Sequence, residues 1–257
     1  MTESRVDPVF GAGWTVSRDS DLPAYAQIEQ RLAGLIADGE LSPGDRLPSE
    51  RDLAARVGVS RLTARAALAS LAQRGLVQRG VGRRGTFVAQ PKLTYDLREF
   101  AGFTEMARRH GLEAGAEILT AERAAAPDNV AEALGLAPGE AVYLFVRLRF
   151  AGGEPLTLEH SWIPVGPYPD LLERDLTHSL YAVMGDAYGR APVRATERLE
   201  AHVALEDQAR ALGVSPGAPL MLVVRVAYAG DGMPVEFARD FHRGDRAHFV
   251  AELTTRL

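Results

Sequence analysis

The chain contains no cysteine, which excludes disulfide frameworks, thiolate catalysis and cysteine-ligated zinc together. Its single lysine, Lys92, falls at the expected domain junction, so no lysine stands inside either domain for Schiff-base chemistry. No apolar run approaches the roughly 18 residues of a membrane span, and the polar start MTESRVDPVF lacks the basic-then-apolar pattern of a signal peptide. A cytoplasmic location with no membrane partner is therefore expected. A nucleophile elbow, a His-Glu-x-x-His pair and a phosphate loop are all missing, and the six histidines are scattered. We therefore expect no catalytic residue, metal or cofactor.

What is present is 257 residues, 46% of them hydrophobic, enough for two domains of ordinary size. The net charge of −5 is a sum of unlike regions. Between Arg46 and Arg84 nine arginines (46, 51, 56, 61, 65, 74, 79, 83, 84) face two acids, Glu50 and Asp52, a local balance of +7 that leaves −12 for the rest. Charge alone is equally compatible with a solvated surface, but a basic segment on an acidic body is what a DNA-binding module joined to another domain looks like.

Residues 1–20 lack any sustained period and are expected as a mobile arm. Residues 21–90 read as helix, helix, helix, hairpin. The first helix runs from about Ala24 to Asp38 with Ile28, Leu32, Leu35 and Ile36 at helical spacing, Ser49 is placed to cap the second, and Ser60 the third. The hairpin strands, Leu76 to Arg79 and Thr86 to Ala89, flank Gly80-Val81-Gly82-Arg83-Arg84-Gly85. Residues 91–100 read as a linker, and 101–257 as a second domain. Within it Leu134-Gly135-Leu136-Ala137-Pro138-Gly139 repeats as Leu212-Gly213-Val214-Ser215-Pro216-Gly217, each copy followed by an alternating strand, a Gly turn and a second strand. Two related helix-plus-hairpin units forming an antiparallel sheet with helices against it give an α+β fold.

On the third helix Arg61 and Arg65 lie one above the other with Thr63 nearby, while Leu68 and Leu71 turn to the other side, as a helix seated in the major groove requires. Ser60 and Arg51, at helix starts, are placed for phosphates. Gly82 and Gly85 let the hairpin backbone approach DNA closely, with Arg83 and Arg84 supplying charge. In the second domain, alternation over Val142 to Phe150 puts Arg147 and Arg149 side by side, a fork suited to phosphate or carboxylate, or equally an exposed face with salt bridges.

Residues Pro23 through Val88, with PSERDLAARVGVSRLTARAALASLAQRGLVQRGVGRRGTFVA at their centre, resemble the winged helix-turn-helix domain of the GntR family of bacterial repressors. Ala64 departs from the family's usual valine, and the wing is slightly irregular. The resemblance implies that Arg51, Ser60, Arg61, Thr63, Arg65, Gly82, Arg83, Arg84 and Gly85 form the DNA-binding surface. The stretch from about Tyr95 to Leu257 resembles the effector (UTRA) domain of the family's HutC subfamily, whose fold is similar to chorismate lyase, through Gly102-Phe103-Thr104-Glu105-Met106, Arg147-Leu148-Arg149, Leu158-Glu159-His160-Ser161, Ser179-Leu180-Tyr181, Pro234-Val235-Glu236-Phe237 and Arg243-Gly244-Asp245-Arg246. This resemblance implies an effector cleft with Thr104, Arg147, Arg149, Ser179 and Tyr181 toward an anionic end, and Glu159 and Glu236 toward hydroxyls or amines. His242 stands where the family often has an aromatic hydroxyl.

Together these readings describe a metabolite-responsive repressor. It is expected to bind a near-palindromic double-stranded operator as a homodimer and to take a small, anionic effector. A lyase-like activity in the second domain and a vestigial effector pocket are the competing readings.

Overall fold

The structure, a computed structural model, describes residues 14–17, 19–79 and 85–254. The chain divides into two compact units, Met1–Pro91 and Lys92–Leu257.

In the first unit three helices, α1 (Ala24–Ala37), α2 (Glu50–Val57) and α3 (Arg61–Gln73), precede the short antiparallel strands β1 (Val77–Arg79) and β2 (Thr86–Val88). Ala64, Ala67, Leu68 and Leu71 recur at the helical repeat on α3 and are buried against Ile28, Leu32 and Leu35 of α1 and Leu53, Ala54 and Val57 of α2. Ser49 Oγ accepts from the Asp52 amide at 3.2 Å and Ser60 Oγ from the Thr63 amide at 3.1 Å, so both expected caps form. Glu29 ties α1 to α3 by accepting from Ser70 Oγ at 2.6 Å and Arg74 Nη1 at 2.8 Å. The hairpin gains a third segment absent from the sequence reading. The backbone of Gly44 to Leu47 runs beside β2, with Leu47 N donating to Thr86 O and Val88 N to Asp45 O, both at 2.8 Å. Part of the arm expected over residues 1–20 is packed rather than mobile. Trp14 and Val16 lie against the helical core, and Ser17 exchanges hydrogen bonds with the Gln27 side chain.

The second unit begins within the expected linker. Strand β3 (Leu93–Asp96) pairs in parallel with β10 (Ala247–Val250). Between them run α4 (Phe103–Arg109), β4 (Ala114–Ala125), α5 (Asp128–Leu134), β5 (Ala141–Ala151), β6 (Glu154–Pro164), α6 (Leu180–Tyr188), β7 (Pro192–Val203), α7 (Glu206–Leu212), β8 (Pro219–Ala229) and β9 (Pro234–Arg243). Six of these strands form one antiparallel sheet in the order β4-β5-β6-β9-β8-β7.

The internal repeat is larger than its sequence signature. The order helix, long strand, helix, hairpin occurs twice, from α4 to β6 and from α6 to β9. At one constant offset Ala114 corresponds to Pro192, Asp128 to Glu206 and Ala141 to Pro219. The repeated Leu-Gly closes α5 and α7 with glycines in the left-handed region, Gly135 at φ 66° and Gly213 at φ 65°. The two halves meet at β6 and β9, where Glu159 stands directly opposite Asp240. Helices α5 and α7 pack on one face of the sheet. On the other face Tyr143, Phe145 and Ile163 pack under α6, and Ala151 and Leu156 under α4. A cleft opens beside the starts of α4 and α6.

Candidate functional site

Each unit carries one candidate site. In the first, Arg51, Arg61 and Arg65 have side chains 80%, 66% and 59% exposed, on a surface that no buried α3 residue shares. Ser60 and Thr63 lie at the start of α3 with their hydroxyl oxygens 2.8 Å apart. Glu50, which the sequence reading counted in the charge balance but gave no place in the site, organises this face. Arg65 Nε and Nη2 donate to its carboxylate at 3.1 and 2.9 Å, which raises the Arg65 pKa, and Arg61 Nη2 lies 3.9 Å away. Leu62, 72% exposed, is an apolar residue on the same outward surface. Gly85 takes φ 141° and approaches Arg46 so closely that an added Cβ would sit 3.0 Å from Nε. The expected wing residues Gly82, Arg83 and Arg84 lie outside the described residues.

In the second unit the eight expected effector residues, Thr104, Arg147, Arg149, Glu159, Ser179, Tyr181, Glu236 and His242, all line one cleft. The cleft encloses about 990 Å³ including the solvent at its mouth. Sheet register explains the convergence. Arg147 of β5 lies opposite Glu159 of β6, and Glu159 lies opposite Asp240 of β9.

Of the two alternatives the sequence left for Arg147 and Arg149, an anion-binding fork or an exposed face with salt bridges, the salt bridges are present, to Glu159, but on a buried face. Arg149 is fully engaged, with Nε donating to Gly115 O at 3.3 Å, Nη1 to Glu159 at 3.3 Å and Nη2 to Thr104 Oγ1 at 2.9 Å, and its guanidinium lies 4.6 Å from the Phe103 ring centroid. Arg147 donates only through Nη2, to Glu159 at 2.8 Å, and its Nε and Nη1 are buried without partners. Of the two arginines only Arg147 keeps unpartnered donors, Nε and Nη1, which point to different sides of the guanidinium because Nη2 completes both of its edges. Burial works against ionisation of Glu159, but the guanidiniums of Arg149 and Arg147, with Arg225, hold its pKa down at about 2.

Ser179 Oγ caps α6 by accepting from the Ala182 amide at 3.3 Å, and Tyr181 donates to Glu236 at 2.5 Å. Burial, with Glu236 nearby and Arg225 opposing, keeps Tyr181 protonated well above its ordinary range. His242 is neutral. Burial pushes its pKa down to about 3, its Nδ1 lies 3.0 Å from Thr157 Oγ1, and its ring meets Tyr95 edge-on with centroids 4.9 Å apart.

Sequence reasoning missed Arg225, Asp240 and Tyr95, all in the cleft lining. Arg225 Nη2 lies 2.8 Å from Asp240 Oδ2, and the same guanidinium reaches Glu236 and Glu197 at 3.4 Å. Two signals were available. Arg225 stands at the repeat offset from Arg147, and Asp240 lies two residues before His242, hence on the same strand face. Burial raises the Asp240 pKa to about 7, Arg225 opposing and Glu159 and Glu236 reinforcing.

Residues 24–88 match the model described as "Bacterial regulatory proteins, gntR family", and residues 109–248 match the UTRA domain. Curated relatives include the HTH-type transcriptional repressor NagR of Bacillus subtilis, 35% identical and covering 91% of this chain and 96% of that protein. The histidine utilization repressor of Pseudomonas putida is 32% identical over 87% of this chain and 89% of its own length. The crystal structure of PhnF from Mycobacterium smegmatis superposes with a TM-score of 0.63 at 31% identity, covering 90% of this chain and 99% of that one. Winged-helix and antiparallel-sheet units, a basic helix face, a cleft floored by buried charged residues and these likenesses converge: the chain belongs to the GntR family of bacterial regulatory proteins, as a UTRA-domain, HutC-like transcription regulator and not an enzyme.

Proposed function

We propose that this repressor binds a near-palindromic operator as a homodimer and is released by a small effector whose acid group is held in the cleft of the second unit. In the first unit Arg61 and Arg65 read base edges in the major groove, while Arg51, Ser60 and the wing, including Gly82, Arg83, Arg84 and Gly85, contact phosphates or the minor groove. Two copies of α3 then address consecutive major grooves roughly 10 base pairs apart. Among the relatives, the mannosyl-D-glycerate transport/metabolism system repressor MngR of Escherichia coli, 30% identical, and the histidine utilization repressor carry metabolic roles in their names. That supports a metabolic effector here.

The observation that carries the effector reading is the convergence of Thr104, Arg147, Arg149, Glu159, Ser179, Tyr181, Glu236 and His242 on one cleft, with Arg147 keeping two buried donors unpaired. A coupling of about 1–3 kcal/mol between cleft and DNA suffices to switch occupancy. No helix among the described residues is long and apolar enough to cross a membrane, and a cytoplasmic setting accords with operator binding.

The test is the stoichiometry and salt dependence of binding to the DNA upstream of the protein's own gene. Two chains per site, with log affinity falling linearly in log salt, are expected. One chain per site, or affinity indifferent to salt, would refute the dimeric phosphate-contacting arrangement.

A further inference from the structure

The cleft floor carries two unpaired groups of opposite sign. Arg147 Nε and Nη1 are buried without partners, and so is Asp240 Oδ1 on the other side of Glu159. Both residues are more than nine-tenths buried, Arg147 at 4% and Asp240 at 2% exposure. They stand on strands two spacings apart, about 10 Å between backbones. Leaving a buried donor or acceptor unmade forfeits its hydration without replacement, and the loss is greater for a charged group.

The charge count of the lining adds a second, independent constraint. Six carboxylates and four guanidiniums line the cleft; Asp96 is answered from outside the lining by Arg98 at 2.7 Å, so a purely anionic ligand would meet five carboxylates against four guanidiniums. Arg225 satisfies only Oδ2 of Asp240, and it is shared with Glu236 and Glu197.

We infer that the effector is a zwitterion, with an acid group accepting from an unpartnered nitrogen of Arg147, Nε or Nη1, and a primary ammonium donating to Asp240 Oδ1. This rests on the reading of the cleft as the effector site and adds the second pole of the ligand. An ammonium supplies the missing donor and offsets the excess of carboxylates in one contact. The raised Asp240 pKa agrees, since its carboxylate is the least compensated acid in the cleft and gains most from a cation.

The test uses matched acids differing only in the amine: O-phosphoethanolamine against ethyl phosphate, and 5-aminopentanoate against pentanoate, titrated calorimetrically into the full chain. The amine-bearing member of at least one pair should bind tenfold or more tighter, and Asp240→Asn should bring that ratio close to one. The phosphate and carboxylate pairs separate the two possible acids. If both members of each pair bind equally, or if the preference survives Asp240→Asn, the zwitterion assignment is wrong while the acid-binding cleft stands. If no acid of either kind binds, the acid reading of Arg147 falls with it. Should Asp240→Asn fail to fold, judged by circular dichroism, the wild-type ratio within each pair decides alone.

Discussion

At the scale of single residues, what matters is which polar atoms are already committed. Glu50 holds Nε and one Nη of Arg65, fixing the guanidinium in a defined orientation on the exposed face of α3. Arg65→Ala should therefore lose about 1–3 kcal/mol of preference for one base pair. Arg51→Ala should instead weaken all sequences alike and reduce the salt slope by about 1. Anisotropy on the operator and its point variants distinguishes the two. The cleft gives a pH prediction whose sign follows from direction. Asp240 holds its proton more tightly in the folded than in the unfolded chain, so its stabilising contribution is full below about pH 4 and is lost as pH rises through about 7. His242, depressed to about 3, contributes the opposite slope, present above about pH 6.5 and lost on acidification. Asp240→Asn, which cannot ionise, should gain stability relative to the parent between pH 4 and 7.5 in urea titrations; a constant difference would contradict the assignment. The eight residues expected in the cleft were legible because their phrases match a family pattern; Asp240 carries no motif and could be reached only through its strand alternation with His242, and Tyr95 lies on β3, whose partner β10 is at the far end of the chain.

Among the elements, the three helices of the first unit were legible because apolar period and terminal glycine agree at each, with a serine cap added at α2 and α3. The long outer strands β4 and β7 were not. Their sequences, AGAEILTAERAA and PVRATERLEAHV, are rich in Ala, Glu and Arg and poor in β-branched residues, so local propensity speaks against the state that pairing with β5 and β8 imposes. Strand β3 was hidden similarly, since its partner β10 lies at the far end of the chain. Two predictions belong here. Ser60→Ala removes the α3 cap and should cost about 1 kcal/mol in chemical denaturation. Gly135→Ala and Gly213→Ala, each forced into the left-handed region at equivalent helix ends, should each destabilise by roughly 1–2 kcal/mol and to similar extents. Markedly unequal losses would argue that the two halves of the repeat are not structurally equivalent.

For the whole molecule, the division of charge foreseen in the sequence acquires a purpose. A basic segment addresses DNA while the acidic remainder builds a cleft in which arginines and carboxylates neutralise one another across neighbouring strands. The central claim is that occupancy of this cleft controls occupancy of the operator. The most direct measurement is fluorescence anisotropy of labelled upstream DNA bound by the full chain, titrated with phosphorylated and carboxylated metabolite pools, for the parent and for Arg147→Gln. The account predicts that one pool releases the parent from DNA and that the variant, still folded and still DNA-bound, resists the same pool by tenfold or more. Equal release of both proteins, or release of neither by any pool, would contradict it.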